Sequence, residues 1–346
     1  MTAAHSAGSR GRVLLSVGDP NGIGPEIAVK ACAAADGETP VVVAERFIIE
    51  PLAAAAGLRS RDYVPGAPAA DSVVDIVTGG HLPRSAYQPG TLSAEAGAAT
   101  IGYLTDAIGL ARSGGFRAVV AGPHNETAVH AAGIEFRGYP PLVAKLTGVP
   151  EDEVFLLLVG GGLRIAHVTL HESMSRVLAR LTPGLVTAAG VALHEALVAL
   201  GIEQPRIAVF GINPHASEGG LFGKEDAAIT ERSVVALRDR GIRADGPAGA
   251  DVLISTQGYD GYLAMYHDQG HIPVKLLAGR SACALAIGTA VPFCSVGHGT
   301  AFDIAGTGKA DPEALIRALG LFRGSQARES DARVSPAREP RKGAAR

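Results

Sequence analysis

An α/β fold with a mostly parallel or mixed sheet is what this chain predicts, on three observations. Short apolar runs alternate with helix-like stretches along most of its 346 residues. Apolar residues make up 47%, with 45 glycines, no tryptophan and 5% aromatics, a composition that lets helices pack closely on a sheet. Polar segments rich in His, Asp, Asn and Lys follow the apolar runs, at strand ends, where open α/β sheets hold their ligands.

The elements follow in order. "RVLLSVGDPNGIGPEIAVKACAAA" reads as a strand, a Gly/Pro/Asn turn and an alanine-rich helix, with Pro25 and Glu26 suited to its first turn. "TPVVVAE" is a second buried strand, and "AVVAGP" (118 to 123) is a strand that follows the helix-like "AEAGAATIGYLTDAIGLARSGG". "VFLLLVGGGLRIAHVTLHES" reads as two adjacent strands joined by a Gly-Gly-Gly turn, placing His167 and His171 on the second. "RIAVFGINPHASEGG" and "YLAMYHDQGH" each read as strand then loop. "CALAIGTAVPFCSVGHGTAFDIAG" reads as two strands and a helix start.

The length allows two α/β subdomains flanking a cleft, and residues 13–322 read as one catalytic unit. Residues 1–12 and 324–346 read as disordered termini; residues 325–346 hold six Lys/Arg against three Asp/Glu and almost no large apolar side chain. A net charge of −3 gives no reason to expect nucleic acid or an anionic membrane as partner. Cys32, Cys283 and Cys294 lack metal or redox spacing and read as buried small hydrophobes. No apolar leader core and no long apolar span is visible, so a cytoplasmic location is expected.

Ionisable groups gather in four loops: "HVTLHES", "NPHASEGG", "YHDQGH" and "SVGHGTAFD". Any one histidine reads as a satisfied structural residue. Histidines past three separate strand ends can also form a divalent-metal site with positions left open for substrate, and the residues alone leave both readings standing. "YHDQGH" has the i, i+4 histidine spacing of a zinc-protease helix. Asp268 replaces the glutamate that motif needs, Gly270 falls inside the turn, and Pro273 disfavours helix at Ile272. The segment is therefore expected to be a strand end followed by a loop, against a hydrolase. No GxGxxG follows a strand, so the usual Rossmann fingerprint for NAD is missing. Asp19 and Asn21 read as turn caps or ligand contacts, and Arg137, Lys224 and Arg176 as candidate anion anchors or surface charges.

At the same loops the chain resembles the 4-hydroxythreonine-4-phosphate dehydrogenases of pyridoxal phosphate synthesis. The resemblance runs from about residue 13 to 322, through "GDPNGIGPE" (18–26), "GINPHASEGGLFGKED" (211–226), "AMYHDQG" (264–270) and "SVGHGTAFDIAG" (295–306). It implies an isocitrate/isopropylmalate dehydrogenase-like fold, NAD as cofactor, and a divalent metal, zinc first, on His171, His215 and His267. It also implies a homodimer whose shared metal site takes the His267 position from the second subunit. Lys275, Asp251 and Asp268 are the implied catalytic candidates, and Asn213, His298 and Gly288 the cofactor contacts.

The departures from that family are polar substrate contacts. A family Gly-His-Thr segment falls on Gly138-Tyr139-Pro140, a family asparagine on Ala284, and a family arginine on or beside Phe293. A phosphate ester is best held by the fork of an arginine, so its loss argues for another substrate. "PHNETAVHAAGIEFRGYP" (123–140) and "HDQGHIPVKLLA" (267–278) resemble the terephthalate cis-dihydrodiol dehydrogenase branch. That branch implies oxidation of a secondary alcohol β to a carboxylate, with loss of CO2 and formation of NADH and a catechol acid.

Overall fold

The computed structural model of the chain describes residues 11–35, 38–279 and 282–322. The first half contains β1 (Arg12–Ser16), α1 (Gly24–Ala33), β2 (Val41–Ala44), α2 (Arg46–Ala55), β3 (Arg59–Asp62), β4 (Val73–Thr78), α3 (Ala94–Arg112), β5 (Phe116–Ala121), α4 (Glu126–Ala131) and α5 (Tyr139–Thr147). There follow β6 (Phe155–Gly160), β7 (Leu163–His167), α6 (Met174–Arg180), α7 (Pro183–Ala199), β8 (Arg206–Phe210), α8 (Glu231–Arg238), β9 (Arg243–Ala248) and α9 (Ala250–Ser255). The last elements are β10 (Gly261–Ala264), α10 (His267–Ala278), β11 (Cys283–Ile287), β12 (Phe293–Val296) and α11 (Glu313–Gly320).

All the strands join one twelve-stranded sheet in the order β3-β4-β2-β1-β5-β12-β11-β6-β7-β10-β8-β9. From β3 to β12 neighbours run parallel, and from β7 to β9 they run parallel again. Between these blocks β11 and β6 pair antiparallel with their neighbours on both sides. Following the directions across, the two parallel blocks point opposite ways.

Helices cover both faces, so a central strand such as β2 is buried along its whole length and reads as an unbroken apolar run. Helix α3 begins at Ser93, whose Oγ accepts from Ala96 N at 3.1 Å. At the opening turn Asp19 Oδ1 accepts from Asn21 N. The Asn21 side chain accepts from Gln88 N and donates to the Thr91 carbonyl, so both side chains bond within the loop. The three cysteines are buried.

Several expectations need correction. Residues 302–308 form turns, and the next helix starts only at Glu313. Arg12, assigned to a disordered terminus, begins β1; residues 1–10 and 323–346 lie outside the described set. Strand β7 ends at His167, so His171 lies in the loop beyond it.

The largest correction concerns residues 267–278, which are helix rather than loop. Gly270 and Val274 are that helix's buried residues, and it lies against β6 and β7. A Cβ at Gly270 would collide with His167 Nε2 and approach Ile165, so the glycine is what permits the contact. The Gln269 side chain anchors the helix start, accepting from Met265 N and donating to the Gly211 carbonyl, each at 2.7 Å. Packing and anchoring outweigh the penalties of glycine and of Pro273, which sits within the helix.

Candidate active site

The site follows from strand order. Strands β7, β10, β8 and β9 are adjacent and parallel, so the loops leaving their C-terminal ends stand side by side. The segments that follow these strands carry, in spatial order, His171, His267, His215 and Asp251, the second and fourth in the first turns of α10 and α9. Neighbouring strands are about 4.8 Å apart. Residues up to 96 apart in sequence thus share one rim of the sheet. Val168 N donates to the Ala264 carbonyl, and Thr169 Oγ1 to that of Met265 at 2.8 Å, which ties the first two loops together. The His171 and His267 rings lie 5.5 Å apart, centroid to centroid, within one chain. The resemblance had assigned them to different subunits.

Helix α10 carries His267, His271 and Lys275 at i, i+4 and i+8, on one face. The His267 and His271 rings stack at 3.7 Å and 13°. The shared spacing is therefore a real contact, although Asp268, not a glutamate, stands beside it. His271 Nδ1 lies 3.0 Å from His167 Nε2, and His167 Nδ1 lies 3.1 Å from the Leu156 carbonyl. Burial, then the neighbouring His271, pushes the fully buried His167 down to about 3. Burial, then His267, pushes His271 down to about 4. Both rings are neutral at neutral pH. Asp268 accepts from His267 Nδ1 at 2.7 Å, which leaves Nε2 of His267 as the free lone pair.

His215 projects from an unusual backbone. His215, Ala216, Ser217 and Glu218 all have positive φ (52°, 50°, 67° and 44°), as has Gly219 (65°). Asp226, which the sequence reading passed over, holds this turn. Its fully buried carboxylate accepts from Ile212 N (2.7 Å), Asn213 N (3.0 Å), Ser217 Oγ (2.7 Å) and Thr230 Oγ1 (2.7 Å). The glycine-punctuated motif signals a turn, but nothing in the spacing marks which acid closes it. Asn213 donates to Ser217 Oγ and Glu225 Oε2, so its amide is engaged within the loop.

A cavity of about 910 Å³ opens beside His171. Its walls include Tyr139, Ala284, Ala286 and Phe293, with His167 and Glu172 at the His171 side. Tyr139 packs on Phe293 at 5.0 Å and on His124 at 4.6 Å, and burial lowers the affinity of His124 for a proton. Arg137, Arg176 and Arg180 also line the cavity. Arg137 pairs with Glu151, while Arg176 and Arg180 share Glu172. Lys224 is not among the lining residues.

The other candidates lie apart from this wall. Lys275 Nζ is beside Gly297, close to where a Cβ on that glycine would stand (3.5 Å), at the end of β12. His298 Nδ1 contacts the Gly299 carbonyl at 3.0 Å. Asp251 is exposed in the first turn of α9. Gly288 has φ 89°, and a Cβ there would collide with the Glu153 carbonyl, so it has a packing reason to be glycine. Among the described residues no three His, Cys, Asp or Glu side chains form a metal-holding group. His171 and His267 supply two neighbouring imidazoles, while the His215 ring packs 6.2 Å from Phe222.

A mixed α/β sheet with histidines along one rim, beside an open cavity, defines an enzyme of the strand-end class. The chain belongs to the PdxA family: residues 36–322 match the family described as pyridoxal phosphate biosynthetic protein PdxA. It is similar, at 47% identity, to the 1,2-dihydroxy-3,5-cyclohexadiene-1,4-dicarboxylate dehydrogenase of a Comamonas species, over 93% of this chain and 98% of that one. It is 40% identical to the D-threonate 4-phosphate dehydrogenase of Cupriavidus necator, over 88% and 94%. Among solved structures, a terephthalate 1,2-cis-dihydrodiol dehydrogenase from Burkholderia xenovorans superposes with a TM-score of 0.76 at 49% identity, over 90% and 97%. The chain is an NAD-dependent oxidoreductase of this family, with the isocitrate dehydrogenase-like α/β fold its relatives share.

Proposed function

We propose that the chain oxidises the cis-dihydrodiol of an aromatic dicarboxylate, terephthalate 1,2-cis-dihydrodiol first, to protocatechuate, CO2 and NADH. One observation carries the choice. Tyr139, Ala284 and Phe293, the positions where polar contacts for a phosphorylated substrate are missing, all line the same cavity beside His171. The carbon ring of such a diol fits these three side chains better than a phosphate ester does. The identities of 47% and 49% to two proteins named for that diol support the same reading.

His171, His215 and His267 are the proposed ligands of a divalent cation, zinc first, completed by a second copy of the chain in a homodimer. Such a cation would favour the alkoxide form of the substrate alcohol and the enolate left by CO2 loss. Hydride transfer belongs to the nicotinamide, and the protein supplies position and charge. Asp268 fixes the tautomer of His267, Lys275 is the proposed substrate contact or proton relay, and Asp251 orients groups at the same rim. His298, Asn213 and Gly288 remain the proposed cofactor contacts, the last two acting through the backbone they hold. Loss of CO2 from the β-keto acid restores aromaticity, which supplies the thermodynamic pull.

A second reading is a dehydrogenase of 4-phosphohydroxythreonine or a sugar-acid phosphate. The arginines on the cavity wall favour it, since their forks suit phosphate, as does the likeness to a D-threonate 4-phosphate dehydrogenase. Purified protein with zinc and NAD⁺ is offered each substrate while absorbance of reduced nicotinamide is followed. Turnover of the diol is expected; turnover of the phosphate ester alone would establish the second reading instead.

A further inference from the structure

Four imidazoles form a row beside the cavity: His171, His267, His271 and His167, ending on the Leu156 carbonyl. The hydrogen bonds dictate where the protons sit. A carbonyl oxygen only accepts, so His167 carries its proton on Nδ1 and leaves Nε2 bare. His271 must then donate from its own Nδ1 to that nitrogen. His271 is thus held in its Nδ1–H form, with its ring plane fixed at one edge by a fully buried partner.

His267 needs that support. It is the first residue of α10, where the Tyr266 cap makes no side-chain hydrogen bond, and its side chain is about a third exposed. Asp268 secures one ring edge but is itself 71% exposed, so it gives little rigidity. The rigid neighbour is the flat face of His271. We propose that His271, braced by His167, is a positioning residue that fixes the His267 ring through the stack. Gly270 belongs to the same device, because a side chain there would drive His167 away from His271.

The inference rests on His267 being a site residue, and its test is separable from the substrate question. Protein carrying ¹⁵N,¹³C-histidine is studied by NMR at pH 8. Long-range ¹H–¹⁵N correlations read the tautomers, and relaxation reads the order of the His267 ring. His167 and His271 are expected as Nδ1–H forms with bare Nε2. The His267 ring order is expected near the rigid value of about 0.85 and, in His271→Ala, below about 0.6. In His271→Phe, which keeps a flat face and fills the space, His267 stays ordered. On whichever substrate the wild type turns over, His271→Ala is expected to lose about tenfold or more in kcat, with KM for NAD⁺ within about twofold. A proton on His271 Nε2, or an equally ordered His267 in His271→Ala, would overturn the proposal. A wild type inert toward the diol would instead sink the substrate reading and leave the ring-order result intact.

Discussion

His167 shows how one buried side chain ties stability to acidity. Its proton affinity is pushed down to about 3 from the ordinary 6.5, chiefly by burial. Below pH 6.5 the unfolded chain therefore takes up a proton that the folded chain refuses. The stabilisation is fully present above pH 6.5 and is lost as pH falls toward 3. At pH 5 the loss is about 2 kcal/mol, at ~1.4 kcal/mol per pH unit. Urea denaturation at pH 7.5 and pH 5 measures it, and His167→Leu is expected to remove about that much of the drop. Equal drops in both proteins would contradict the assignment. At this scale the sequence displayed residue types and chemistry-bearing loops, since histidines past strand ends are visible in one dimension. Contacts were not legible: the partner of His271 is 104 residues away and packs through a glycine that, read locally, argues against helix.

Among the elements, the turn carrying His215 makes the clearest demand. Four L-residues in the left-handed region cost on the order of 1–2 kcal/mol each. Asp226 offsets much of this through four charge-assisted hydrogen bonds, worth roughly 1.5–3 kcal/mol apiece. Replacing Asp226 by Asn presents a donor to groups that are themselves donors. Asp226→Asn is expected to lose roughly 2–4 kcal/mol in denaturant unfolding and to broaden the His215 ring resonances. Unchanged stability with a sharp His215 signal would show that the turn holds itself. The strands were legible because burial on both faces writes an unbroken apolar run, as in "VVVA". Helix α10 was misread because Gly270 and Pro273 are local breakers, while the forces that override them come from β6, β7 and the Gln269 anchor.

For the molecule as a whole, the sheet order decides what a single chain can assemble. Sequence pattern revealed the alternation of strands and helices, but not that β10 would insert between β7 and β8 and bring His267 to His171. Two imidazoles converge, and the described residues complete no metal group. If a second copy supplies the remainder, metal retention must depend on protein concentration. Dilution through the dimer–monomer transition, followed by rapid desalting and metal analysis, is expected to release the cation in step with dissociation. A monomer that keeps one metal per chain would refute the shared site.

The turn at 215–218 also has a chemical meaning that the ribosome cannot exploit. Its φ angles are those natural to the mirror-image amino acids. At Ala216, with φ 50° and ψ 51°, a D-alanine introduced by semisynthesis would occupy its preferred conformation. In β8, a few residues earlier, the same exchange would disrupt an ordinary strand. One short segment of this otherwise conventional chain is folded with the opposite hand, and it is the segment that presents His215.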